Sequence, residues 1–136
     1  MKYYFILLIA LTYPLFIISC TNNNVDIKQS LIGKWELRRT TNGLNKTEKF
    51  FLPGKGIQLS FTSTGYTEFF DTSMVSKGLY KIIQDTANGI ILNRIAFKPE
   101  IYSWDSTRYL IDCENDQLII AVDTVGTMRR FYERIK

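Results

Sequence analysis

Short stretches in which apolar and polar residues alternate occupy most of this chain from Leu31 onward. A period of two places successive side chains on opposite faces of a strand, so these stretches predict antiparallel strands buried on one face. Gly, Asn, Asp and Pro separate them, and Asn88-Gly89 is a strong hairpin-turn signal, because both central residues of such a turn favour positive φ. No convincing helix is predicted here, so the expected fold class is all-β.

Eight or nine strands are predicted, connected mostly by short reversals. They cover residues 35–40, 46–52, 57–62, 66–71, 77–83, 90–97, 107–113, 117–122 and 127–135, of which 46–52 is the weakest. An open meander of this size would leave two edges prone to aggregation, whereas closure into a barrel removes both. We therefore expect an up-and-down antiparallel barrel of about eight strands, which side chains either fill or leave open for one small ligand. An open β-sandwich is the alternative.

The first 20 residues are different in character from the rest. Lys2 is followed by an uncharged apolar run over residues 3–18, which is typical of a secretory signal and short for a membrane-spanning helix, the alternative interpretation. Ile17-Ile18-Ser19-Cys20 resembles the bacterial lipobox. The resemblance implies that Cys20 receives a diacylglyceryl group, becomes the new amino terminus and anchors the protein in a membrane.

Three regions follow from this interpretation. Residues 1–19 are the predicted lipoprotein signal peptide, 20–30 the lipidated cysteine with a flexible tether, and 31–136 a single barrel domain. Thr21 stands where an acidic residue would, by resemblance to known sorting rules, favour the inner membrane. We therefore expect an outer-membrane lipoprotein. The tether lacks the acidic run associated with surface export in some lineages, which favours the side that faces the periplasm.

Composition argues against several function classes. The chain has no histidine, and it has neither a nucleophile elbow nor a Walker loop nor clustered cysteines, so no catalytic residue, metal or cofactor is predicted. A net charge of +4, spread along the chain apart from Arg38-Arg39 and Arg129-Arg130, makes nucleic acid an unexpected partner. Cys113, left single once Cys20 is lipidated, is predicted to be a small buried apolar residue.

Both ends of the predicted barrel resemble the calycin superfamily, which comprises lipocalins, fatty-acid-binding proteins and avidins. Gly33-Lys34-Trp35 opens the first strand as Gly-x-Trp does in these families, where the indole closes one end of the barrel. The resemblance implies that Arg134 packs over Trp35 by a cation–π contact and that Gly33, Trp35 and Arg134 are structural. The chain is thus similar to bacterial lipocalin-like lipoproteins.

Arg130-Phe131-Tyr132 resembles the Arg-x-Tyr of the last strand of fatty-acid-binding proteins, in which both side chains hold a ligand carboxylate. Residues two apart share one face of a strand, so Arg130 and Tyr132 are the first candidate ligand-binding residues. The opposite face, with Phe131, competes for the interior, and if Phe131 points inward the anion site is excluded.

Trp104 and Tyr66 complete the candidate ligand-binding set. Trp104 belongs to an aromatic segment that is expected to line or cap the barrel mouth, and Tyr66 is expected, with Phe61 and Phe70, in the core. The favoured hypothesis is non-catalytic binding of a small, largely apolar ligand. The alternative is an envelope protein-interaction module, such as an inhibitor, immunity factor or assembly accessory, with a filled barrel and an unknown protein partner.

Overall fold

The computed structural model describes residues 26–101, 107–122 and 126–136. The described residues form one helix and nine strands: α1 (Ile27–Leu31), β1 (Gly33–Asn42), β2 (Thr47–Phe50), β3 (Gln58–Phe61), β4 (Gly65–Phe70), β5 (Ser73–Ala87), β6 (Ile90–Pro99), β7 (Tyr109–Glu114), β8 (Gln117–Val122) and β9 (Met128–Ile135). The predicted signal peptide, Cys20 and Trp104 lie outside these ranges. In the described ranges no helix has the length and apolar character needed to cross a membrane.

The strands close into an antiparallel barrel, which confirms the predicted fold class. Eight of them form a ring in which β1 pairs with β3, each later strand with its successor, and β9 with β1. The closing pair sets Trp35 opposite Arg134 and Leu37 opposite Tyr132. Neither terminal strand therefore leaves an open edge in the ring.

The ninth strand, β2, continues the line of β3 along the same edge of β1. Residues 47–50 pair with 39–42, and residues 58–61 pair with 33–36. The intervening residues 51–57 leave the wall and are fixed at both ends, by Phe51 N–H to the Arg38 carbonyl at 2.9 Å and by Leu37 N–H to the Ile57 carbonyl at 2.8 Å. A Cβ on Gly56 would collide with the Leu37 carbonyl, so glycine is required where this loop folds against β1.

A β-bulge in β1 lies where this loop leaves the wall. The register shifts between Leu37 and Arg39, so that Arg39 pairs with Phe131 and Thr40 with Arg130. The alternation predicted over residues 35–40 would put Arg39 on the same face as Trp35 and Leu37, and this is wrong for Arg39, which lies with Phe131 on the other face. Because Arg38 is an additional residue in the strand, the alternation of inward and outward side chains is reversed after it.

The barrel interior contains most of the buried apolar side chains. Trp35, Leu31, Ile95 and Leu118 have no exposed surface, and they are joined by Leu37, Leu59, Phe61, Tyr66, Tyr80, Ile111, Ile120 and Tyr132. Phe61 and Tyr66 are core residues as predicted. The same prediction is wrong for Phe70, which is 61% exposed because it lies at the end of the β4–β5 hairpin.

Helix α1 closes the end of the barrel at which β1 begins and β9 ends. Asp26 caps it by accepting a hydrogen bond from Lys28 N–H, and Ile27 and Leu31 are both buried. Trp35 Nε1–H donates to the Leu31 carbonyl at 2.8 Å. The sequence predicted no helix and an unpacked tether as far as residue 30; a single turn is too short to show a periodic pattern, yet its two apolar residues, four positions apart, share one face.

Candidate functional site

A small cavity lies inside the barrel. It has a volume of about 130 Å³ and is lined by Leu59, Tyr66, Glu68, Phe97, Tyr109, Ile120, Arg130 and Tyr132. The cross-strand register places these residues on the inward face of six different strands. Three of the four predicted ligand-binding residues, Arg130, Tyr132 and Tyr66, thus surround one cavity, and the fourth, Trp104, lies outside the described residues.

The inward face of β9 carries Arg130, Tyr132 and Arg134. Tyr132 is 1% exposed, and the positive charge of Arg130 acts to lower the pKa of its phenol. Phe131 lies on the opposite face, where the guanidinium carbon of Arg39 is 4.0 Å from the centre of its ring. The arrangement that would exclude an anion site, with Phe131 inward, is therefore not the one observed.

Burial sets the protonation of Tyr132. Loss of hydration raises the pKa of its phenol to about 12, while the charge and hydrogen bond of Arg130 act in the opposite direction and the Glu68 carboxylate adds to the rise. Tyr132 is thus neutral at physiological pH. A neutral phenol beside an exposed guanidinium offers an anion two kinds of hydrogen-bond donor.

Glu68 is a charged cavity residue that was not predicted from the sequence. Glu68 is on β4, where it pairs with Leu59 of β3 and shares the inward face with Tyr66. Among the described residues no ion pair is formed by Glu68. The signal was present in the sequence, because Tyr66 and Glu68 are two residues apart, as Arg130 and Tyr132 are.

Aromatic rings form much of the cavity wall. The ring centres of Tyr66 and Phe97 are 4.8 Å apart, and those of Phe97 and Tyr109 are 5.9 Å apart, both edge to face. The Tyr66 hydroxyl lies 3.0 Å from the Ser76 hydroxyl, which fixes its ring. Edge-to-face packing of this kind holds the walls of the cavity in place.

Arg134 links the last strand to the closed end. Its guanidinium carbon is 4.2 Å from the centre of the Trp35 ring, and it donates to the carbonyls of Ser30 and Ile32 and to the carboxylate of Asp116. Gly33, with φ of +135°, lies so close that a Cβ there would meet the guanidinium. These contacts hold α1 in place, and neither Arg134 nor Trp35 lines the cavity.

Cys113 also contacts α1. Its thiol donates to the Ser30 carbonyl at 3.4 Å, and burial raises the pKa of the thiol. A neutral, half-buried thiol is a poor nucleophile.

A larger depression of about 1400 Å³ lies mostly on the outer side of the wall. Its lining includes Leu110, Ile119 and Phe131, which alternate in sequence with inward residues and therefore point away from the interior. It also reaches residues 91–93, where β6 diverges from β7 after only two paired positions. This depression is distinct from the lumen, despite its greater size.

Comparison of the chain with protein-family models, with curated proteins and with solved structures gives no match. Within the described ranges no three His, Cys, Asp or Glu side chains converge as a metal site would require. The closed eight-stranded barrel is consistent with a calycin-like fold.

Proposed function

We propose that this protein is a lipid-anchored envelope lipoprotein whose barrel binds one small molecule without catalysis. The observation that carries the proposal is the inward pair Arg130 and Tyr132 at a cavity inside a closed barrel. A guanidinium next to a neutral phenol favours a carboxylate or another small anion. The ring faces of the wall suit an apolar portion of the same ligand.

Cavity size limits the ligand. Drug-sized ligands occupy pockets of roughly 300–1,000 Å³, and a cavity of about 150 Å³ holds a molecule of the size of benzene. The volume of about 130 Å³ therefore suits a compound with few non-hydrogen atoms and argues against a long acyl chain.

Native mass spectrometry of residues 21–136, purified without detergent, tests ligand binding. A small molecule that co-purifies with the wild type and is lost from Arg130→Gln supports the proposal. Arg129→Gln is the matched control, because Arg129 is also exposed and adjacent in sequence but lies on the outer face. Equal retention of the molecule by both variants would place it elsewhere and contradict the assignment to the lumen.

Cys20→Ala tests the anchor. The expected result is that the full chain moves from the membrane fraction to the soluble fraction and no longer incorporates labelled palmitate, whereas Cys113→Ala remains in the membrane. Membrane association that survives Cys20→Ala would contradict lipidation.

A second candidate function, protein interaction, is favoured by large apolar side chains on the surface. Leu44, Phe50 and Leu52 are 80%, 70% and 75% exposed, and they lie in or next to β2, which pairs with β1 alone among the described strands. An exposed strand edge with apolar neighbours is a common site for strand addition by a partner. Capture of an envelope protein by the wild type but not by Phe50→Lys, with no small molecule in the native mass spectrum, would favour this function.

A further inference from the structure

We infer that the molecule bound in the lumen is a small zwitterion whose carboxylate contacts Arg130 and whose ammonium group lies near Glu68. The inference depends on the proposed function, because it concerns the chemical class of ligand for the same cavity. It goes beyond the anion site because Glu68 adds the opposite charge to the cavity wall.

The charges of the wall favour a ligand with two poles. Arg130 enters from β9 and Glu68 from β4, so the cavity has one cationic and one anionic side chain from different parts of the barrel. No ion pair joins these two side chains in the described part of the chain. A ligand with a carboxylate alone would be attracted by Arg130 but repelled by Glu68, whereas an amino acid or a betaine satisfies both.

The aromatic wall supports the cationic pole. Tyr66, Phe97, Tyr109 and Tyr132 all contribute to the lining. Ring faces attract ammonium and quaternary ammonium groups, and this attraction strengthens when water is excluded. An acidic side chain among aromatic rings is thus a suitable environment for an organic cation.

Size selects the small members of this class. The volume of about 130 Å³ is near that of a cavity that holds benzene, a molecule with six non-hydrogen atoms. Small amino acids and glycine betaine have a similar number of atoms. Larger amphoteric compounds, such as peptides, exceed this space.

Calorimetric titration of residues 21–136 with matched probes tests the inference. The probes are glycine betaine and the series glycine, β-alanine and 4-aminobutyrate, which differ in the spacing of the two charges. Acetate, propionate and butyrate supply the matching monoanions, and butylamine supplies the matching cation. We expect at least one zwitterion to bind the wild type about tenfold or more tightly than its monoanion, a typical value for one charged hydrogen bond.

Variants assign the two poles. Glu68→Gln should weaken the zwitterion about tenfold and strengthen the monoanion, whereas Arg130→Gln should weaken both. Arg129→Gln should change neither, and circular dichroism must show an intact barrel in each variant. A monoanion that binds the wild type as tightly as its zwitterion, or a zwitterion unaffected by Glu68→Gln, would overturn the inference but leave small-molecule binding intact.

The remaining outcomes separate the two claims. If no probe binds while a purely anionic or neutral compound co-purifies and depends on Arg130, the ligand class is wrong and the proposed function stands. If no probe binds and nothing co-purifies with the wild type, both are wrong.

Discussion

Tyr132 shows how one buried side chain ties the site to the stability of the barrel. It pairs with Leu37 and Leu118 on the two neighbouring strands, and all three side chains are buried in the core. Since burial raises the pKa of the phenol to about 12, the folded barrel holds this proton more tightly than the unfolded chain does.

Alkaline pH should therefore destabilise the protein through Tyr132. Its pKa is raised from 10.0 to about 12 on folding, so its contribution is fully present below about pH 10 and is lost as pH rises to 12. Between pH 8.5 and pH 11 we expect a loss of about 1.4 kcal/mol in the free energy of unfolding. Urea unfolding of the wild type and Tyr132→Phe at pH 8.5 and pH 11 measures it; an equal decrease in both proteins would contradict the assignment.

Glu36 and Arg38 form a buried ion pair on the outer side of β1. Glu36 is 4% exposed, and its Oε2 lies 3.1 Å from Arg38 Nη1. Neither Glu36 Oε1 nor Arg38 Nη1 has a hydrogen-bond partner among the described residues. Arg38 Nε also donates to Glu133 at 3.1 Å. Gly56 packs against Glu36, which places the loop 51–57 over the carboxylate.

Arg38→Met should destabilise the protein by about 3 kcal/mol, because it leaves the Glu36 carboxylate buried without a cation. Glu36→Gln combined with Arg38→Met should recover most of this loss. A double-mutant cycle in urea measures the coupling, with Arg39→Met as the control on the same strand. Additive effects of the two substitutions would show that the pair is not coupled.

At the scale of elements, α1 is the addition that the strand pattern did not predict. It contributes Leu31, which is fully buried. The Leu31 carbonyl accepts a hydrogen bond from Trp35, and the carbonyls of Ser30 and Ile32 accept from Arg134. A five-residue helix is not stable alone, so these contacts are what hold it.

Leu31→Ala in residues 21–136 should lower the free energy of unfolding by about 2–5 kcal/mol, the range for loss of a fully buried leucine. Gln29→Ala, on the exposed side of the same helix, should have little effect. Urea denaturation followed by tryptophan fluorescence makes the comparison. A similar midpoint for Leu31→Ala and Gln29→Ala would show that α1 is not part of the core.

The strand pattern predicted the barrel because period two and turn residues are local properties of the sequence. The bulge at Arg38 could not be predicted, since it depends on where β2 and β3 separate along β1, which involves distant residues. The inward face of β9 was left open for the same reason. Alternation shows that Arg130 and Tyr132 share a face, but only the pairing with β1 and β8 determines which face is inside.

At the scale of the whole molecule, the position of α1 predicts how the barrel sits on a membrane if Cys20 carries the lipid. Six peptide units separate Cys20 from Asp26, so the anchor lies within roughly 22 Å of the closed end. β1 has ten residues and, at a tilt of about 40°, rises roughly 25 Å towards the opposite end. The mouth, where β1 ends and β9 begins, should face away from the bilayer.

Fluorescent labels on the lipidated full chain in vesicles measure this orientation. In a Cys113→Ala background, a label at Lys28→Cys should be quenched by nitroxide lipid headgroups, and a label at Leu44→Cys in the β1–β2 turn should not. Equal quenching at both positions would contradict the predicted orientation.

Among the described residues, Trp35, Arg134 and α1 close one end of the lumen, and the exposed Arg130 lies towards the other end. A barrel closed at that end should not conduct solute through its length, because a molecule that enters at the opposite end has to leave by the same route. The fraction of barrels with bound ligand would instead depend on the ligand concentration in the water at the open end. This property suits a protein that retains or senses a ligand better than one that transports it.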